Sequence, residues 1–288
     1  MRKLERPKVG QDFSAHVKAA KSAVETAVKA GKSPEFAAVW GNFKEDFAKA
    51  QLGKCGFCKG QVLGLQFGDV EHFRPKAEIS ELDDSGLESC GRELPWTYRI
   101  AGRVLKSGQR ATGYWWLAYE WHNYLLSCEI CNRQWKGNLF PIAGDRASGP
   151  DALEREQPLL LSPFDDFDPA EHFEFGRLGE VRGCTDRGRA TVQTCGLDRT
   201  SLRVARYPTA RAVHEHMDAL ATDISEPEVL WVLRGIQDAG IEQRPYCGMV
   251  RAIFCKRSGL EWEKLESLIA ALSARVPARK MLSLPMGQ

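Results

Sequence analysis

The sequence predicts an α+β chain in which a cysteine-bearing core of turns and short strands lies between an N-terminal helical hairpin and a mostly helical C-terminal region. Three observations carry that prediction. Two Cys-x-x-Cys pairs, Cys55/Cys58 and Cys128/Cys131, bracket the stretch DVEHFRPK at Asp69 to Lys76. Apolar residues recur at helical spacing from Phe13 to Phe47 and again beyond Val229. Between the cysteine pairs that periodicity is lost and turn residues are frequent. The expected division is residues 1–54 for the helical segment, 55–145 for the core and 146–288 for the supporting region.

Taken in order, Val17, Ala20, Val24 and Val28 form one helical stripe that Gly31-Lys32-Ser33 interrupts, which predicts two helices packed as a hairpin. From Cys55 to Glu71, Gly56, Gly60, Gly64 and Gly68 punctuate Val62, Leu63, Leu65 and Phe67, a pattern of turns and short strands. Ala77 to Gly113 is turn-rich, with Asp83-Asp84-Ser85-Gly86 and Ser107-Gly108, and reads as an excursion that returns to the core. Tyr114 to Leu126 is dense in aromatics. In Cys128 to Gly137, Cys128, Cys131, Asn132 and Trp135 fall at i, i+3, i+4 and i+7, which predicts a short helix with two thiols and an amide on one face. Further on, His172 to Val181 reads as a hairpin and Thr185 to Thr194 as a helix stopped at Gly196. Ser225 to Glu228 is a capping box, and Leu265, Leu268, Ile269 and Leu272 form an apolar stripe.

A hydrophobic fraction of 43% and a charged fraction of 27% fit a folded globular chain and exclude disorder as the default. With a formal charge of +2, a polyanion would have to be gripped by a local basic patch. No run approaches the roughly 20 apolar residues that span a bilayer, and the first residues lack the apolar centre of a signal peptide, so the expected location is the cytoplasm with no membrane partner. Nine cysteines, an odd number, favour metal binding over disulfides in that compartment. The two pairs supply four thiolates for one tetrahedral structural Zn²⁺, although the interval from Cys58 to Cys128 exceeds that of a compact zinc ribbon. Buried thiols acting as small apolar residues are the plain alternative.

DVEHFRPK, the run YWWLAYEWHNYLLSC and the run CNRQWKGNLFP follow one another in an order that resembles the zinc-containing HNH endonucleases, whose fold is the ββα-metal core. Together with LLLSPFDDFDPAEHFEF and ATVQTCGLDRTSLRVAR, they look like the HNH subunits of Septu-type and retron-associated anti-phage systems, from about Phe43 to Arg206. The resemblance implies a Mg²⁺- or Mn²⁺-dependent nuclease acting most often on DNA, paired with an ABC or SMC-like ATPase. It assigns His72 as the base, Glu71 as first metal ligand with Asp69 as a second, Asn123 as a positioning residue and Asn132 as a metal ligand where many relatives carry histidine. Strand alternation sets Glu71 and His72 on opposite faces, so a shared role requires distortion or a metal at the strand edge. Arg74, Lys76, Arg133 and Lys136 are candidates for gripping phosphate.

Two other readings stay open. One is a catalytically silent zinc module that binds nucleic acid or the ATPase. The other is a thiol enzyme using Cys-x-x-Cys. The chain has no G-x-x-x-x-G-K-[ST] loop of its own. Trp115, Trp116, Trp121 and Trp135 could stack on bases, but core packing accounts better for most of them. His122 reads as a packed histidine. His214 and His216 point to different sides of a helix, and Asp165, Asp166 and Asp168 read as a turn.

Overall fold

The computed structural model describes residues 3–64, 68–82, 105–167 and 169–276, and within them the chain is a mixed α+β protein, rich in helix, with small two-stranded sheets. No described helix is long and apolar enough to cross a membrane. Helix α1, Phe13–Lys29, buries Phe13, Val17 and Val24 of the expected stripe and ends at Gly31, whose φ of 67° suits glycine. The second limb of the hairpin is short. It begins as a 3-10 turn, Val39–Phe43, and continues as α2, Lys44–Ala50. Phe13 meets Phe43 and Trp121 edge to face at 5.0 and 5.1 Å, which fastens the hairpin to the core.

The core is built on strand β1, Gly68–His72, paired antiparallel with β4, Tyr124–Cys128, in the register Gly68↔Cys128 to His72↔Tyr124. Every residue of β4 is buried. Gln51, also buried, extends this ladder with its side chain: its amide accepts from the Leu126 N–H and donates to the Leu126 carbonyl, both at 2.8 Å. Between the two strands the chain makes β2, Glu78–Leu82, and β3, Leu105–Thr112, an antiparallel pair at the base of the expected excursion. Ser107-Gly108, expected as a turn, lies inside β3, in the stretch where the register with β2 shifts between the pairs Ser80↔Arg110 and Leu82↔Leu105. Leu65, Phe67, Asp83 to Gly86 and Asp168 lie outside the described residues.

Beyond β5, Ile142–Ala143, and β6, Gln157–Pro158, a helical turn α3, Pro169–His172, leads into the hairpin β7, Phe173–Phe175, and β8, Val181–Gly183. Helix α4, Asp186–Cys195, starts where the Thr185 side chain accepts from Gly188 N–H and stops at left-handed Gly196. Helices α5, Thr200–Ala219, α6, Glu226–Gly240, α7, Cys247–Ser258, and α8, Glu263–Ser273, complete the region. The capping box at Ser225 and Glu228 is formed. In α8 Leu265 and Ile269 are buried, but Leu268 is 38% exposed, so the apolar stripe is narrower than expected.

Gly196 joins this region to the core. A β-carbon there would lie 1.9 Å from the Trp135 ring, and the backbone φ is 57°. Gly196→Ala is expected to lower stability by about 2–4 kcal/mol, the sum of left-handed strain and overpacking, read as a shift in denaturant midpoint at constant slope. A shift below about 0.5 kcal/mol would show that Trp135 is not held against this turn.

Candidate metal centre and active site

Cys55 and Cys58 lie on a tight turn after α2. Gly56 N–H donates to Leu126 O at 2.8 Å and Cys55 N–H to Gly60 O at 3.0 Å, with Lys59 at a φ of 60°. These bonds hang the turn on β4, at whose end Cys128 stands, three residues before Cys131. All four sulfurs are buried and lie within 4.8 Å of one another, with Cys58 and Cys128 at 4.0 Å. A tetrahedron with Zn–S bonds of about 2.3 Å has edges of about 3.8 Å, so the spacing suits one ion with small adjustment. Gly60 N–H donates to Cys58 Sγ at 3.4 Å, Cys131 N–H to Cys128 Sγ at 3.5 Å and the Arg199 guanidinium to Cys131 Sγ at 3.4 Å, contacts that stabilise thiolates.

The electrostatics fit the same purpose. Burial pushes the Cys55 thiol up, but hydrogen bonds from Cys128, Cys131 and Cys58 outweigh it and hold it well below the ordinary thiol range. Hydrogen bonding within the cluster raises Cys131 well above that range. Four crowded thiolates need a cation. Burial opposes the charge of Arg199, yet the sulfurs, Cys131 foremost, raise its pKa. The four-cysteine cluster can therefore hold a structural zinc.

Immediately after β4 the chain forms a π-helix, Ile130–Lys136, in place of the expected α-helix. The difference matters for which residues point inward. The wider turn buries Lys136 beside Cys131 and Trp135, whereas Asn132 remains half-buried and Arg133 exposed. Lys136, expected to grip phosphate, is instead fully buried: its ammonium bonds Glu71 Oε1 at 2.5 Å and the His72 carbonyl at 3.0 Å. Asp69 shares the Glu71 face of β1 and lies 3.9 Å from Arg133. This face of β1, opposite the helix, thus gathers Asp69 and Glu71.

His72 is on the other face, as alternation requires. It is 4% exposed, edge to face with Trp40 at 4.7 Å and Tyr124 at 5.1 Å. Its Nε2 lies 2.9 Å from the Ala118 carbonyl, which also accepts from Tyr124 Oη at 2.7 Å. A carbonyl only accepts, so the contact puts the ring proton on Nε2 and leaves Nδ1 with a lone pair. Burial first, then the charge of Lys76, pushes the imidazole down to about 3. Between the ordinary value of 6.5 and that value, the unfolded chain binds a proton that the folded chain refuses. The associated stability is complete above 6.5 and is lost as pH falls toward 3. From pH 7 to 5.5, wild type is expected to lose about 1 kcal/mol more unfolding free energy than His72→Gln; equal losses would show an imidazole that titrates normally.

Asn123 holds the chain just beyond His72. Its Oδ1 accepts from Arg74 N–H at 2.8 Å and its Nδ2 donates to Arg74 O at 3.0 Å and Leu117 O at 3.1 Å. Of the other basic candidates, Arg74 is paired with the wholly buried Glu156 carboxylate at 2.9 Å, and Lys76 stands 4.4 Å over the Trp40 ring. Arg74 is therefore placed as a structural counter-ion rather than an open phosphate grip. Glu156 also accepts from Tyr114 Oη at 2.6 Å and Ala147 N–H at 3.0 Å, so it ties the region after the core to the base of the site. Sequence reasoning missed Glu156, Gln51, Trp40, Tyr124 and Arg199. The contacts that tie them to the site, with His72, Arg74, Leu126 and Cys131, reach across tens of residues, so no local pattern marks them.

Comparison with known proteins gives two relatives, both from Bacillus mycoides (strain KBAB4). The chain is 32% identical over 195 residues to the Septu protein PtuB, covering 66% of this chain and 58% of that protein. It is 37% identical over 163 residues to the Septu protein PtuA, covering 55% of this chain and 19% of that protein. The chain thus spans less than two thirds of the length of either relative. No protein-family model matches it, and no solved structure does.

Proposed function

We infer that this homologue of Septu proteins is a divalent-metal HNH endonuclease that hydrolyses nucleic-acid phosphodiester bonds, DNA foremost, as the effector of an anti-phage system with an ABC or SMC-like ATPase partner. The observation that carries the reading is the Nε2 contact of His72 with the Ala118 carbonyl, which leaves Nδ1 as a proton acceptor on a ring packed against Trp40 and Tyr124. The antiparallel pair β1/β4 followed directly by the π-helix is consistent with a ββα-metal core at residues 55–145, braced by 1–54 and 146–288.

In this reading His72 takes a proton from water at Nδ1, and its bond to Ala118 offsets part of the burial and of the Lys76 charge that hold the imidazole low. Asn123 fixes the backbone of Arg74 and hence the exit of the strand that carries the base. Asp69, Glu71 and Asn132 offer the hard oxygen donors that suit Mg²⁺ or Mn²⁺, which would supply positive charge against the phosphate. Glu71 Oε2 has no bonding partner among the described residues, although Oε1 is held by Lys136. Exposed Arg133 and half-buried Lys76 remain for gripping phosphate.

One observation favours the alternative, a catalytically silent zinc module: Glu71 is neutralised by a buried lysine and lies across the strand from His72. Cleavage decides between them. Plasmid and single-stranded substrates are incubated with Mg²⁺ or Mn²⁺, wild type against His72→Ala, each with and without the ATPase. A loss of at least about a hundredfold in the variant, at unchanged zinc content, supports the nuclease. Absence of His72-dependent cleavage in every condition selects the binding module.

A further inference from the structure

We propose that the cleft between α1 and the Trp115–Tyr119 turn binds an unpaired nucleobase, so that the chain takes single-stranded nucleic acid beside His72. The site deepens the nuclease reading and rests on it for the identity of the polymer. The cleft has a volume of about 620 Å³ and is lined by Trp115, Trp116, Tyr119 and His122, with Lys21 and Lys29 of α1 at its edge. That size suits a small planar ligand.

The tryptophans separate into two classes. Trp121 and Trp135 are 5% and 2% exposed and belong to the core, whereas Trp115 and Trp116 are only half-buried and stand at 89° to each other, 5.7 Å apart. Trp116 Nε1 is buried and has no hydrogen-bond partner among the described residues. That donor is closed to solvent, so a base in the cleft would meet the exposed indole faces and not this N–H. Indole faces stack on any base, so a site built this way tolerates sequence.

Charge and position agree. Glu120, which also borders the cleft, is paired with Lys21 at 2.6 Å, and Glu25 is the other acid there. Lys29 has no ion pair among the described residues, and lies two helical turns, about 12 Å, along α1 from Lys21, on the same side. Lys29 is the ammonium left to meet the backbone of a strand whose base enters the cleft, since Lys21 is held by Glu120. Tyr119 touches Trp40 at 6.2 Å, Trp40 touches His72, and Ala118, whose carbonyl orients His72, lies between the lining residues Leu117 and Tyr119. The cleft is thus joined to His72 through the Trp40 ring and the Ala118 carbonyl.

The test is fluorescence anisotropy on the full zinc-loaded chain, with a labelled oligothymidylate of about 20 nucleotides and no added Mg²⁺ or Mn²⁺. Replacing its bases by abasic sites is expected to weaken binding about tenfold, as is Trp116→Ala, and a duplex of equal length binds no better than the abasic strand. Because the abasic arm uses unaltered protein, it does not depend on the variant folding. Equal affinity for abasic and base-bearing strands, or for duplex and single strand, overturns the site. Base-dependent binding without any His72-dependent cleavage keeps the site and overturns only the nuclease reading.

Discussion

Removing zinc is expected to unfold the core. Cys58→Ser should carry well under one zinc per chain and lose cooperative thermal unfolding, because a structural zinc held by four thiolates contributes on the order of 10 kcal/mol, comparable to the whole stability of a domain. The geometry explains the size of the effect. The turn carrying Cys55 and Cys58 is hung on β4 by backbone bonds, and Cys128 ends that strand, so the ion would join segments about 70 residues apart. Without a cation, four buried thiols are crowded within 4.8 Å and cannot all ionise. Cys184→Ser, at an exposed thiol, serves as the control and should change nothing. The measurement is elemental analysis with thermal melting, before and after a chelator strong enough to compete with thiolates. A protein that melts as before after chelation would make these cysteines ordinary core thiols.

Lys136→Met is expected to cost about 3–5 kcal/mol, because it leaves the Glu71 carboxylate buried without its counter-ion. The ammonium is fully buried and the carboxylate side chain only 10% exposed, so water replaces the lost partner poorly. The His72 carbonyl loses a donor as well. Glu71→Leu combined with Lys136→Met should recover much of the loss, since an apolar pair of similar volume removes the desolvation penalty of both charges. Denaturant midpoints for the single and double variants measure this coupling. A single-variant cost under about 1 kcal/mol would show that Glu71 reaches solvent or another cation once Lys136 is gone.

The four-cysteine cluster was legible because Cys-x-x-Cys is a local pattern whose chemistry depends little on what surrounds it. The α1 stripe, the Thr185 cap, the Gly196 stop and the capping box at Ser225 were legible for the same reason: each is decided within a few residues by backbone geometry. Strand alternation likewise separates Glu71 from His72, and the structure keeps them on opposite faces of β1.

What could not be read is what depends on partners far along the chain. The helix after Cys128 was expected to be α with a face of thiols and amide, but packing against Glu71 and the Gly196 turn accompanies a π-helix that turns Lys136 inward. That one change of pitch converts an expected phosphate contact into a buried counter-ion. Arg74 met the same fate through Glu156, 82 residues away, and Gln51 completes a ladder with Leu126, 75 residues away. By itself, then, the sequence singled out the four thiols that cluster, the order of the elements and the local stops and caps, because those follow from short-range geometry and donor chemistry. The tertiary structure alone decided which charges are buried, which ring nitrogen of His72 keeps its lone pair and which tryptophans face a cleft, because burial and hydrogen bonding at those groups are set by residues that meet only when the chain folds.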